Sequence, residues 1–311
     1  MNQLVSAKRL QGHTDKVLAL DFNDEDNILA SGSQDKTVRL WNLQQDKTLI
    51  LTGHGVNEWF CKVNAVAISS ELNLLASGGD DRLLRIWSLL TNQQVKTLTG
   101  HEQAITSLAV HPQGTIIASG GKDKKIILWS LDTGEIISTL EEHTDGVLSV
   151  CFSQDGSLLA SGGDIGDRTL RIWSLRDHKS IILKGHSDWF GGVSAIAFHP
   201  NHPLVVTGSK DKTIKIWDLQ QAKEIMSLTA HTNEVTSVAV SPNGKFLASG
   251  SKDKTVKLWN LSNGNLLTTI PHPNSVTVVK FSHNSKMLAS GCEDKIIRIF
   301  TNFYPQKTLT V

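Results

Sequence analysis

A histidine recurs at His13, His54, His101, His143, His186, His231 and His272, at intervals of 41 to 47 residues, usually with glycine before it. Serine (threonine in the fifth unit), aspartate and tryptophan accompany it in each unit but the last, where phenylalanine replaces tryptophan. A serine, a histidine and an aspartate can together activate an oxygen nucleophile for hydrolysis. Repetition argues against that use. A catalytic site is built once, whereas this set returns six times with an indole attached, as a structural device would. No repeated histidine cluster points to a metal. His199 and His202, in HPNHP, read as exposed turn residues. Cys61, Cys151 and Cys292 are far apart and odd in number, so they form neither a disulfide framework nor a zinc spacing. Glycine-rich pieces such as residues 77–79 lack the Lys-Ser/Thr of a phosphate loop. The residues imply no catalytic site, cofactor or metal.

Composition narrows the classes further. The chain has 311 residues, of which 39% are hydrophobic and 20% charged, enough to bury a core. Lys plus Arg is 31 against 30 for Asp plus Glu, so a global field toward nucleic acid or an acidic membrane is excluded. No apolar run is long enough to span a bilayer, which predicts no membrane insertion. The N-terminus lacks the apolar stretch of a secretory signal. With cysteines this sparse, a reducing, cytoplasmic compartment is expected.

Each histidine is followed by an apolar segment, a small-residue segment and a segment ending in an aromatic: Trp41, Trp87, Trp129, Trp173, Trp217, Trp259 and Phe300. In the first unit residues 17–22, 27–31 and 37–41 read as strands, rich in β-branched and large apolar residues that favour a half-buried pleated surface. Polar turns separate them, such as NDED at 23–26. A fourth short strand follows each aromatic, as at 136–140. No segment has a helical period. Four strands cannot bury both faces alone, but seven such sheets around an axis bury one another's faces. The expected fold is all-β: a seven-bladed β-propeller of four-stranded antiparallel blades, one domain over residues 1–311.

At LASGSQDKTVRLWNL (29–43), LASGSKDKTVKLWNL (247–261) and VTGSKDKTIKIWDL (206–219) the chain resembles the WD40 repeat family, and the resemblance covers residues 4 to 311. The literal Trp-Asp pair occurs only at Trp217-Asp218; Asn or Ser usually stands there instead. The wording of the repeats is also similar to that of cyanobacterial propeller proteins. The resemblance implies a hydrogen-bonded tetrad in each blade: His13, Ser31, Asp35 and Trp41 in blade one; His54, Ser77, Asp81 and Trp87 in blade two; His101, Ser119, Asp123 and Trp129 in blade three. Blade four supplies His143, Ser161, Asp167 and Trp173, blade five His186, Thr207, Asp211 and Trp217, and blade six His231, Ser249, Asp253 and Trp259. Blade seven has His272, Ser290 and Asp294, but Phe300 donates nothing to Ser290.

Residues 5–13 match the outer strand that precedes each Gly-His, although no blade comes before them. The N-terminal strand is therefore expected to close the ring in blade seven, as the resemblance also implies. Residues 305–311 resemble an outer strand too and compete for that slot.

Function is expected where the units differ, because shared positions build blades. From histidine to third-strand aromatic is 28 residues in blades one, three, six and seven, but 33 in blade two, 30 in blade four and 31 in blade five. The extra residues lie in segments 54–63, 162–168 and 186–193, all on one predicted face. Two of these segments carry an acid followed by Trp-Phe: Glu58-Trp59-Phe60 and Asp188-Trp189-Phe190. Aromatics of this kind suit a protein or peptide hot spot, and equally suit folding inward to cover their own loop. A basic residue follows each tetrad aspartate: Lys36, Arg82, Lys124, Arg168, Lys212, Lys254 and Lys295. These read first as solvated turn side chains offsetting the aspartate. Asp15, Glu102, Asp145 and Glu234 lie near the same face, and mixed signs favour partner choice over dedicated nucleic-acid binding.

The leading expectation is a noncatalytic scaffold, a monomeric propeller that binds a protein or peptide through Trp59, Phe60, Asp188, Trp189, Phe190 and Lys210. One alternative is a regulatory or targeting propeller cut from a multidomain kinase, protease-like or nucleotide-binding protein. The other is an enzyme with a small-molecule site at the channel mouth.

Overall fold

The computed structural model describes residues 6–55, 61–177, 179–186, 189, 191–229 and 231–301. The described residues form strands β1 to β28 in chain order, arranged as seven four-stranded antiparallel sheets with no helix. Blade one is β2 (Val17–Phe22), β3 (Ile28–Ser33), β4 (Thr37–Asn42) and β5 (Lys47–Thr52), from the channel outward. Blades two to six repeat this order. Strand bounds lie within a residue or two of those read from the small and β-branched runs.

Blade seven is assembled from both ends of the described chain. Its inner strands are β26 (Val276–Phe281), β27 (Met287–Cys292) and β28 (Ile297–Thr301), and its outer strand is β1 (Ser6–Leu10), antiparallel to β28 with Leu10 opposite Ile297. The N-terminal strand thus takes the slot for which residues 305–311 competed in the sequence. Residues 305–311 themselves lie outside the described residues.

The core is seven separate radial layers, each made by two neighbouring sheets. Between blades one and two, Ala30, Val38 and Leu40 meet Val63, Val66, Leu75 and Trp87. At the closing seam Leu10, Val17, Phe22 and Trp41 meet Ala289, Ile297 and Ile299. The Ser-Gly pairs of the second strands exist for this contact. A Cβ on Gly32 would stand 2.8 Å from Val63 Cγ1, and one on Gly291 would stand 2.9 Å from Val17 Cγ1. Glycine lets each sheet approach the first inner residue of the next.

Polar bonds stitch the seams beside the channel. Each inner strand has a bulge after its first residue. The residue there in blade six, Thr236, donates to Val276 O of blade seven (2.7 Å), and Thr277 donates across the closing seam to Val17 O (2.5 Å). That seam is also the most charged. Lys16 pairs with Glu293 (2.8 Å) and Lys280 with Asp21 (2.8 Å). Buried Asp26 accepts the backbone N–H groups of His283 (2.7 Å) and Asn284 (2.8 Å).

Candidate protein-interaction face

In blade one the His13 Nδ1–H donates to Asp35 Oδ2 (2.8 Å), because a carboxylate can only accept. Nε2 is then an acceptor and takes the Ser31 hydroxyl proton (2.7 Å). The Ser31 oxygen in turn accepts Trp41 Nε1–H (2.8 Å). Blades two, three, five and six repeat this chain, with imidazole–aspartate distances of 3.0, 2.9, 2.9 and 2.7 Å. In blade four His143 Nδ1 stands 3.2 Å from Asp167 Oδ2, out of line for a full hydrogen bond. The Trp173–Ser161–His143 part is intact there.

Blade seven breaks the pattern at both ends. Phe300 has no donor for Ser290, and Asp294 turns away to Arg298, with bonds of 3.1 and 2.5 Å. His272 Nδ1–H donates instead to Ile270 O (3.2 Å), while Nε2 keeps the Ser290 hydroxyl (2.8 Å).

The aspartates do more than orient imidazoles. Asp35 also accepts the N–H of Thr14 (2.9 Å), in the loop entering the blade, and the N–H of Thr37 (3.0 Å), beyond the turn between second and third strands. One carboxylate therefore ties together the two kinds of loop that emerge on this face. Burial alone would raise the Asp35 carboxyl. Hydrogen bonds from His13, Thr37 and the Thr14 N–H outweigh it and hold the group well below the ordinary carboxylate range. Asp167 is likewise held down against the effect of burial, by the nearby His143 imidazole and by hydrogen bonds from the Thr169 hydroxyl and the Thr144 N–H.

On this fixed base the insertions of blades four and five meet. Asp164, at the start of the blade-four insertion, donates its N–H to Gly146 O, and Gly166 donates to Asp145 Oδ2, both at 2.8 Å. Lys210 reaches across from blade five to Asp164 Oδ1 (2.6 Å). A Cβ on Gly192 of the blade-five loop would come within 3.2 Å of the Ile165 backbone nitrogen. In these same two insertions Trp189 is 82% exposed and Ile165 41% exposed. The other exposed large apolar residues among those described lie on outer strands, apart from Leu90 in a turn at the opposite end.

Trp189 therefore projects to solvent rather than covering its own loop. Lys210, expected at the rim, is engaged in the ion pair that draws the two insertions together. Trp59, Phe60, Asp188 and Phe190 lie outside the described residues. Ile165 was not singled out by sequence; its signal was a lone apolar residue inside the polar insertion GGDIGDR. One reading is corrected. His199 is buried, its Nδ1 accepting the N–H groups of Asn201 and His202 (3.1 Å each), while His202 is exposed. The turn folds over its first imidazole to satisfy its own backbone. No group of His, Cys, Asp and Glu suited to a metal occurs among the described residues.

The fold and its buried His-Ser-Asp-Trp sets define a propeller built to present loops. Seven matches to the WD domain, G-beta repeat, at residues 4–42, 45–88, 92–130, 134–174, 178–218, 222–260 and 264–301, place the chain in the WD40 family. Its relatives include nuclear distribution protein nudF 1 of Talaromyces marneffei, 31% identical over 74% of this chain and 45% of that protein. Nuclear distribution protein nudF of Aspergillus niger is 27% identical over 74% of this chain and 46% of that protein. Nuclear distribution protein PAC1 of Yarrowia lipolytica is 41% identical over 22% of this chain and 16% of that protein. The chain thus spans less than half the length of these relatives. All three are fungal, and they lend no support to a cyanobacterial likeness.

Proposed function

We propose that the chain is a noncatalytic interaction scaffold, acting as one monomeric propeller domain. It captures a protein or peptide segment on the loop-rich face, at the seam of blades four and five. The observation that carries this reading is an almost fully exposed Trp189 in the same blade-five loop as Gly192, which approaches the exposed Ile165 of blade four. A large amphipathic ring already exposed to solvent offers apolar area and a hydrogen-bond donor to a partner. Trp59, Phe60, Asp188 and Phe190 belong to the same kind of insertion and are assigned to the same surface. Lys210 shapes the site through Asp164. The reading requires no metal or cofactor and places the protein in the cytoplasm. Its relatives are more than twice as long as the matched region, which supports a propeller serving as the docking module of a larger assembly.

The test is affinity capture from native lysate with wild type and a Trp189→Ala/Ile165→Ala variant, after matched melting curves. Loss of the same captured bands with an unchanged melt is the expected result. Undiminished capture refutes the site.

A further inference from the structure

Third strands carry a cation two residues before the aromatic in every blade but the third: Arg39, Arg85, Arg171, Lys215, Lys257 and Arg298, with Ile127 in blade three. What each cation holds depends on the residue two places after the tetrad aspartate. Where that residue is Leu83 or Ile296, no hydroxyl reaches the aspartate, and Arg85 pairs with Asp81 and Arg298 with Asp294. Where it is threonine, its hydroxyl donates to the aspartate, as Thr37 does to Asp35 (2.6 Å), and the cation turns elsewhere. Arg171 takes Glu142, Lys215 takes Glu224 (2.6 Å) and Lys257 donates to the Thr269 hydroxyl (3.2 Å). Of the six, Arg39 alone makes no hydrogen bond or ion pair among the described residues. A half-buried guanidinium without an acceptor is costly.

Blade four holds an occupied copy of the same arrangement. Arg39 and Arg171 lie over Trp41 and Trp173 at the same distance, 5.9 Å from each ring centroid. The outer strands pair in one register: Ile50 stands opposite Arg39 and Thr48 opposite Trp41, as Ile182 stands opposite Arg171 and Ser180 opposite Trp173. In blade four the residue before the tetrad histidine is Glu142. One of its carboxylate oxygens accepts from both Arg171 Nη1 and the Ser180 hydroxyl (2.7 Å). Blade one keeps both donors, the Arg39 guanidinium and the exposed Thr48 hydroxyl, but the residue before His13 is Gly12. The acids around it are engaged elsewhere: Asp35 with His13, Thr14 and Thr37, Asp46 with Lys8, Asp21 with Lys280 and Glu293 with Lys16.

We propose that the outer edge of blade one docks an acidic side chain of a partner protein. A Glu or Asp carboxylate takes the place of Glu142 between Arg39 and Thr48. An apolar side chain two residues along the same extended segment lies on Ile50, which is 47% exposed. This contact is separate from the seam of Trp189 and Ile165 and adds a second point of attachment. A protein carboxylate fits better than a phosphate chain, because the donors are one guanidinium and one hydroxyl, set for a single oxygen as in blade four, and the neighbouring Leu49 and Ile50 are apolar.

The test uses the full chain and two peptides, Gly-Ser-Glu-Ser-Leu-Ser-Gly and the same peptide with Gln for Glu, beside acetate and an oligothymidylate. Binding is read from NMR shifts of the arginine Nε–H and tryptophan indole N–H signals. Proteins are wild type, Arg39→Ile, Gly12→Glu and Glu142→Gly, each with a melting curve. Blade three carries Ile127 at this position, so Arg39→Ile is expected to fold. In wild type the Glu peptide should move the Arg39 and Trp41 signals and bind at least about fivefold more tightly than the Gln peptide. Arg39→Ile should abolish that preference. Gly12→Glu rebuilds the blade-four carboxylate and should abolish it too, with Tm equal or higher. Glu142→Gly should gain a second site, read at Arg171 and Trp173. Equal binding of the two peptides, an unmoved Arg39 signal, or a preference that survives in Arg39→Ile would each overturn the proposal. So would acetate or oligothymidylate bound as tightly as the Glu peptide, the first pointing to a free small carboxylate and the second to nucleic acid.

Discussion

Blade seven supplies an internal control for the tetrads. In blade three the Ser119 hydroxyl serves two buried partners: it donates to His101 Nε2 (2.7 Å) and accepts from Trp129 Nε1 (2.8 Å). Ser119→Ala leaves both without a partner in a site where Ser119 has no exposure and Trp129 has 1%. Each orphaned buried group costs about 1–3 kcal/mol, so the loss should be roughly 2–6 kcal/mol. Ser290 of blade seven is equally buried, but Phe300 offers it no donor. Ser290→Ala then orphans only His272 Nε2 and should cost about 1–3 kcal/mol. For a chain of this length each kcal/mol moves Tm by about 1–2 °C. Calorimetric melts and urea unfolding of both variants against wild type would measure the difference. Equal losses, or a larger loss from Ser290→Ala, would refute the two-partner account of the tetrad serine.

Three further outcomes follow. The low-lying carboxyls of Asp35 and Asp167 add stability that is present above about pH 4 and is lost as pH falls toward their depressed values. Burial likewise lowers His231 and His272, which adds stability above about pH 6.5 that is lost below it, so Tm should fall steadily from pH 7 to 3; a flat profile contradicts the assignment. Deleting residues 1–10 removes β1 and bares the edge of β28, so thermal scans should show a large drop in Tm; an unchanged melt would deny strand closure. At the same seam Asp26→Ala should cost about 1–3 kcal/mol by stranding the His283 and Asn284 N–H groups. Lys280→Ala breaks a half-exposed pair and should cost under about 1 kcal/mol in urea titrations; the reverse order would contradict this account.

The blades were legible in sequence because each repeats the same physical necessities. A small Ser-Gly pair allows close sheet approach, a bulky Val or Ile fills the seam, and a turn cation follows the tetrad aspartate. Strand closure was legible for the same reason: residues 5–13 carry outer-strand grammar with no blade before them. Departures were harder to read. Phe300 announced a broken network, but not that Asp294 would turn wholly to Arg298: Arg85 of blade two also bonds its tetrad aspartate, Asp81, and there the imidazole bond is kept. The burial of His199 depends on how a five-residue turn satisfies its own N–H groups, which composition does not reveal. The closing-seam role of Asp26 depends on contact between residues some 260 apart in sequence, and no periodicity records that.

The same repetition explains where function belongs. Six blades share the Trp–hydroxyl–imidazole chain and five of them complete it with aspartate, so these repeated bonds do not tell one partner from another. On the proposed reading discrimination comes from what the loops add, and the insertions of blades four and five are the ones that meet. There the Lys210–Asp164 pair holds two insertions against each other, and the longer insertion of each blade carries its apolar side chain outward. Among the described residues their meeting gives the single exposed indole charged surroundings, which separates this seam from the electrostatically closed seam of blades seven and one.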